Sequence, residues 1–131
     1  MNLVSMKNLM YVMGLALVMC SFSVKTDSDG IVGALKKASA EQLSSYFDNV
    51  IDIKLPGKDE IKGVGKNQAT LTIKNFFNEN NIQDFDLTSQ REMGGSMYIA
   101  GKLKSADKAY NITLMMKNKA DKLSIITFRI N

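Results

Sequence analysis

Hydrophobic and polar positions fall into two regimes along this chain. Residues 9–20 are apolar all round, broken only by Gly14, and Lys7 is the single charge before Lys25. Beyond residue 30 the apolar positions recur at helical or strand spacing instead. Asp29 is placed to cap a helix whose apolar positions are Ile31, Leu35 and Ala38. Ser39 and Gln42 then form a capping box, followed by a stripe of Leu43, Tyr46 and Phe47, so the first helical region breaks near Ser39. Residues 49–55 alternate, with Ile51, Ile53 and Leu55 on one side, and Pro56-Gly57 ends that strand. Residues 57–65 read as loop. Residues 66–81 are the clearest helix, because Ala69, Ile73, Phe76 and Phe77 fall on one face.

The remainder predicts four antiparallel strands. Phe85, Leu87 and Ser89 alternate in the first, and a glycine turn follows at residues 92–96. Met97, Ile99 and Leu103 alternate in the second, with Gly101 read as a bulge. Tyr110, Ile112, Leu114 and Met116 share one face of the third, and Ser124, Ile126, Phe128 and Ile130 one face of the fourth. The order α-α-β-α-β-β-β-β predicts an α+β domain, with N-terminal helices packed on a strongly curved antiparallel sheet.

The unstriped opening is not part of that domain. A positive residue, a short apolar run and the small residues Ser21 and Ser23 around Phe22 make the order of a secretory signal. The run is shorter than the roughly 20 residues a membrane-spanning helix needs. Cleavage after Ser23 is the preferred expectation. Acylation of Cys20, as in a bacterial lipoprotein, is the alternative, but Met19 stands where such sites carry a small residue. A buried core helix is least favoured. The expected organisation is a signal at 1–23, a polar leader at 24–29 and a single domain at 30–131.

Composition narrows the chemistry. The chain carries 17 Lys and Arg against 13 Asp and Glu, and no histidine; Cys20, its one cysteine, leaves with the signal if cleavage follows Ser23. Ser/His/Asp and Cys/His catalysis are thereby excluded, and so are the usual zinc and copper sites. No carboxylate cluster has calcium-loop spacing, and "GKDEIKGVGK" lacks the ending of a phosphate-binding loop. Only Arg91 and Arg129 are arginine; Lys54, Lys58, Lys62 and Lys66, then Lys117, Lys119 and Lys122, lack the interleaved aromatics of a nucleic-acid binder. They read as a solvated surface. The methionines read as packing, and the "NIT" at Asn111 lies inside a predicted strand.

Three stretches carry a resemblance: "LSSYFDNVIDIKL" at 43–55, "GKNQATLTIKNFF" at 65–77 and the C-terminal "YNITLMMKNKADKLSIITFRIN". Together they resemble a small secreted Bacteroidota family of unknown function with the nuclear-transport-factor-like, or cystatin-like, α+β barrel fold. The resemblance spans nearly all of the chain after the signal and implies a conical pocket between the concave sheet and the helices. Enzymes of that superfamily use Asp with His or Tyr there. No acidic residue here matches such a motif, so no catalytic residue is carried over.

Tyr46, Phe47, Phe77, Phe85, Met97, Tyr110 and Phe128 are the candidate pocket lining, although a filled core is favoured for so small a domain. Asp48 or Asp52 could serve as a general base beside Tyr46 or Tyr98 if buried, but helix-end or exposed aspartates are preferred. The opposite sheet face, with Tyr98, Thr113, Met115, Ile125 and Arg129 and also Ala100 and Thr127, is a candidate homodimer surface, which the superfamily often uses, with a plain solvent-facing sheet the equal alternative. The expected function is therefore an exported, non-catalytic binding domain for a small apolar ligand or a protein partner. No cofactor, metal, nucleic acid or membrane span is expected. The alternatives are an isomerase- or dehydratase-like enzyme with an Asp/Tyr pocket, and a lipid-anchored envelope protein.

Overall fold

The computed structural model describes residues 23–131. Cys20 and almost all of the signal expectation lie outside the described residues. Helix α1 spans Ser23–Lys36, so it takes in the polar residues 24–29, and Asp29 is not its cap. Tertiary contacts recruit this polar stretch. The Asp27 carboxylate accepts a hydrogen bond from the Leu123 backbone N–H, 3.1 Å away, and Ser28 is buried. Ala38 is not a helix position either: it has φ 50° just beyond the helix end. The Ser39 N–H bonds back to Ala34 O and the Ala38 N–H to Leu35 O, both at 3.0 Å, which is the Schellman pairing that satisfies terminal carbonyls. Ser39 then caps α2 (Ala40–Ser44) by accepting from the Gln42 N–H.

Strand β1 spans Phe47–Lys54 and β2 spans Ile61–Gly65. The region expected to be loop thus contains a strand, paired antiparallel to β1 through Ile51↔Val64 and Ile53↔Ile61. Its two glycines, and its place at the sheet edge where most of it stays exposed, left no apolar alternation to read. Helix α3, Lys66–Glu79, buries Ala69, Ile73, Phe76 and Phe77, as its spacing predicts. Strands β3 (Asp84–Met93), β4 (Ser96–Lys104), β5 (Ala109–Lys119) and β6 (Lys122–Ile130) form the meander. The six strands lie in the order β2-β1-β6-β5-β4-β3. The α+β class and the curved sheet are as expected. The sheet is mixed rather than wholly antiparallel, because the last strand returns parallel to β1.

Two irregularities decide which side chains face the helices. In β3, Leu87 and Ser89 oppose the adjacent residues Gly101 and Ala100, so Thr88 is the extra residue. The bulge therefore lies opposite Gly101, not at it, and Leu87 is exposed where alternation had placed it inside. In β6, Met115 and Met116 oppose Thr127 and Ile125, which leaves Ile126 as the extra residue. The alternation changes phase there. Leu123 and Ile125 point inward before the bulge and Phe128 and Ile130 after it, all buried, while Ser124 and Ile126 are not core residues. Ile125 is fully buried, so it leaves the candidate outer face. A one-residue slip exchanges the two faces of a strand.

Candidate functional site

The seven residues expected to line one pocket do not do so. Phe47, Phe77, Phe85, Met97 and Phe128 are core residues, none more than 7% exposed. Phe77 packs on Phe128 with ring centroids 6.4 Å apart, and also on Phe76. Tyr46 and Tyr110 are only partly buried and stand at two separate clefts. Tyr46 lies over α1, in a cleft of about 490 Å³ with Gly30, Gly33, Lys37, Gln42 and Ser45. Tyr110 edges a cleft of about 350 Å³ between α3 and the loop after β1.

The outer face of the sheet does bring its candidates together. Tyr98, Thr113, Met115 and Arg129 line a cleft of about 400 Å³ with Asp52, Glu60, Lys62 and Thr127. Strand register produces this, through Tyr98↔Met115, Met115↔Thr127 and Thr113↔Arg129 across β4, β5 and β6, and Asp52↔Thr127 across to β1. The Arg129 guanidinium donates from Nε and Nη2 to Glu60 Oε1, at 3.1 and 2.7 Å. Asp52 Oδ1 accepts from the Gly63 N–H at 2.9 Å. The face thus sets an adjacent pair of large side chains, Met115 and Tyr98, among hydroxyl and charged groups.

The two aspartates weighed as bases have different surroundings. Asp48 accepts from Lys119 Nζ and from the Asn49 N–H, each at 2.9 Å. The Lys119 hydrogen bond, then the backbone bond, hold its carboxyl below the usual carboxylate range. That favours the charged, ion-paired form and opposes the raised value a general base needs. Asp52 and Tyr98 do share a cleft, but on the outer face rather than inside the cone. Elsewhere Lys74 holds Glu41 low by a 2.8 Å hydrogen bond that joins α2 to α3. The Asp86 carboxylate raises Lys104. Among the described residues no group of three His, Cys, Asp or Glu side chains could hold a metal ion. No described helix is long and apolar enough to cross a membrane.

Residues 28–131 match the profile of a domain of unknown function, DUF4783. The chain belongs to this DUF4783 family. A DUF4783 protein from Bacteroides uniformis superposes with a TM-score of 0.72 at 22% identity, over 79% of this chain and 94% of that one. One from Bacteroides ovatus gives 0.69 at 22%, over 77% and 90%. An NTF2-like family protein from Streptomyces avermitilis gives 0.59 at 13%, over 82% and 91%. At these identities the likeness is one of fold, and it is the nuclear-transport-factor-like fold expected. No curated protein matches the chain.

Residues that the sequence did not mark as site candidates complete the clefts: Glu60 and Lys62, the latter read only as solvated surface, on the outer face, and Asn75, Glu79 and Asn80 beside Tyr110. Glu60 meets Arg129 across 69 residues of chain, which no local pattern signals. The α3 group falls at helical spacing from Thr72 through Asn80, a signal that was present but polar.

Proposed function

We propose that this DUF4783 chain is an exported, non-catalytic binding domain that works from its surface. Its outer sheet face meets a protein partner, in the first instance a second copy of the chain. The observation that carries this reading is the packing of Phe47, Phe77, Phe85, Met97 and Phe128 into the interior. Side chains committed to a core of this size serve stability, which moves function from the cone to the surface. Methionine, tyrosine and arginine, as at Met115, Tyr98 and Arg129, are the residue types enriched in recognition patches. The engagement of Asp48 by Lys119 supports the non-catalytic reading over the isomerase-like one. Export rests on Lys7, the apolar run at 9–20 and the small residues Ser21 and Ser23.

Sedimentation velocity on the wild type and on Met115→Lys tests the partner surface. The expected result is a concentration-dependent dimer for the wild type and a monomer for the variant, with the same circular dichroism. A wild type that stays monomeric at every concentration, or a variant that dimerises equally well, contradicts the second-copy reading.

A further inference from the structure

The cleft beside Tyr110 is built differently from the outer face. Thr72, Asn75, Phe76 and Glu79 from one side of α3 and Asn80 at its C-terminal cap line it, and Leu55, Pro56 and Lys58 close it from the loop after β1. Its floor is the partly buried Tyr110, which meets the buried Phe76 edge to face, with centroids 5.4 Å apart at 75°. Two hydrogen bonds lock that floor. Tyr110 Oη donates to Asn80 Oδ1 at 3.0 Å, and Asn80 Nδ2 donates to the Phe76 carbonyl at 2.9 Å. Tyr110 Oη keeps acceptor capacity, and the second Asn80 amide hydrogen stays available. Asn75 adds a donor and an acceptor, Glu79 an acceptor and Lys58 a donor.

We propose that this cleft binds a neutral saccharide, its apolar ring face against Tyr110 and its hydroxyls on Asn75, Glu79, Asn80 and Lys58. The chemistry narrows the ligand in steps. A wholly apolar ligand would strip water from these amide and charged groups without replacing their hydrogen bonds. Glu79 and Lys58 carry opposite charges, so the cleft favours neither an anion nor a cation. A peptide added as a strand needs free backbone groups along an edge. Here the wall is a helix, and the Leu55 carbonyl already accepts from Lys54 Nζ at 2.8 Å and the Lys58 N–H at 3.2 Å. A ligand with an apolar face and a ring of hydroxyls, each both donor and acceptor, matches what remains. The 350 Å³ volume sits at the small end of the roughly 300–1,000 Å³ typical of ligand pockets, which suits one or two sugar units.

The test is a two-dimensional amide NMR titration with maltose, lactose and N,N′-diacetylchitobiose as probes, and glucuronate and glucosamine as charged controls. At least one neutral sugar is expected to give saturating shifts at the Asn75 and Asn80 side-chain amides and at residues 57–58. Asn75→Ala, outside the core, is expected to weaken that binding about tenfold, the loss of one or two neutral hydrogen bonds. Tyr110→Phe keeps the ring, frees Asn80 and weakens binding while the spectrum stays dispersed. Met115→Lys leaves sugar binding unchanged, so failure of the outer-face reading and failure of this one are told apart. Three results overturn the proposal: no shift with any neutral sugar up to its solubility, saturating shifts that map outside the cleft, or a response to the charged sugars alone.

Discussion

Replacing Gly101 by alanine should damage this fold more than its single methyl group suggests. Gly101 lies in β4, buried, with Leu87 directly opposite on β3. A Cβ built there would stand 2.2 Å from the Asp86 carbonyl oxygen and 2.5 and 2.6 Å from Cε1 and Cζ of Phe85. The first neighbour is backbone. The second is a ring only 1% exposed, lying over the glycine as an aromatic across a sheet often does. Neither can swing into open space. Overpacking of this kind costs about 1–3 kcal/mol, and displacing β3 weakens a ladder hydrogen bond worth about 1 kcal/mol. Alanine recovers about 0.4–1 kcal/mol by restricting the unfolded chain. The net is a loss of about 1–3.5 kcal/mol, or roughly 5–25 °C in Tm for a domain of this size. Urea unfolding followed by circular dichroism measures it. Gly33→Ala is the internal control: it lies within α1, nothing stands within 4 Å of its added Cβ, and helix propensity should stabilise it by about 0.5–1 kcal/mol. A Gly101→Ala protein within about 0.5 kcal/mol of the wild type, the range of an innocuous surface change, would refute the close approach of Phe85 and Asp86.

Ala38, held at φ 50° in the Schellman turn, should accept glycine with a gain of about 0.5–1 kcal/mol, the left-handed penalty less the added chain entropy; thermal melting checks the sign. At Gly30 an added Cβ would lie 2.0 Å from Tyr46 Oη. Gly30→Ala should therefore lower Tm in the wild type and raise it in a Tyr46→Leu background, and equal effects in both would disprove the contact. Asp48 has a folded pKa below its ordinary value, so its contribution is present above the unfolded carboxyl pKa of about 3.9 and lost as pH falls through the folded one. Asp48→Asn should lower stability near neutrality by only about 0.2–1 kcal/mol, since the pair is solvent-screened, and should flatten the acid limb of a stability–pH curve. An unchanged acid limb would count against the Lys119 pairing.

Legibility followed the regularity of the backbone. Helix α3 and strands β4 and β5 keep one phase from end to end, so Ala69, Ile73, Phe76 and Phe77, or Ile112, Leu114 and Met116, could be assigned to the core from spacing alone. Strand β6 could not. Its bulge at Ile126 reverses the alternation midway, which sent Ile125 to the wrong face. Strand β2 has two glycines and an exposed edge position, and its existence depends on pairing with β1, a long-range fact. Helix α1 reaches into residues 24–29 because β6 supplies a partner for Asp27, which local propensity cannot anticipate. The same division holds for the sites. Tyr98, Thr113, Met115 and Arg129 were legible as one face of regular strands. The Glu60–Arg129 pair and the Asn80–Tyr110 lock join residues 69 and 30 positions apart, and only the fold brings them together.

The central claim is that the interior of the cone is filled and that this DUF4783 chain acts from its surface. Native mass spectrometry on protein taken from its own cells, without refolding, tests it most directly. The expected masses are those of the bare chain and of its two-chain species, with no apolar small molecule retained. A stoichiometric apolar ligand that survives purification and leaves only on unfolding would contradict it, because the space for that ligand is occupied here by Phe47, Phe77, Phe85 and Phe128.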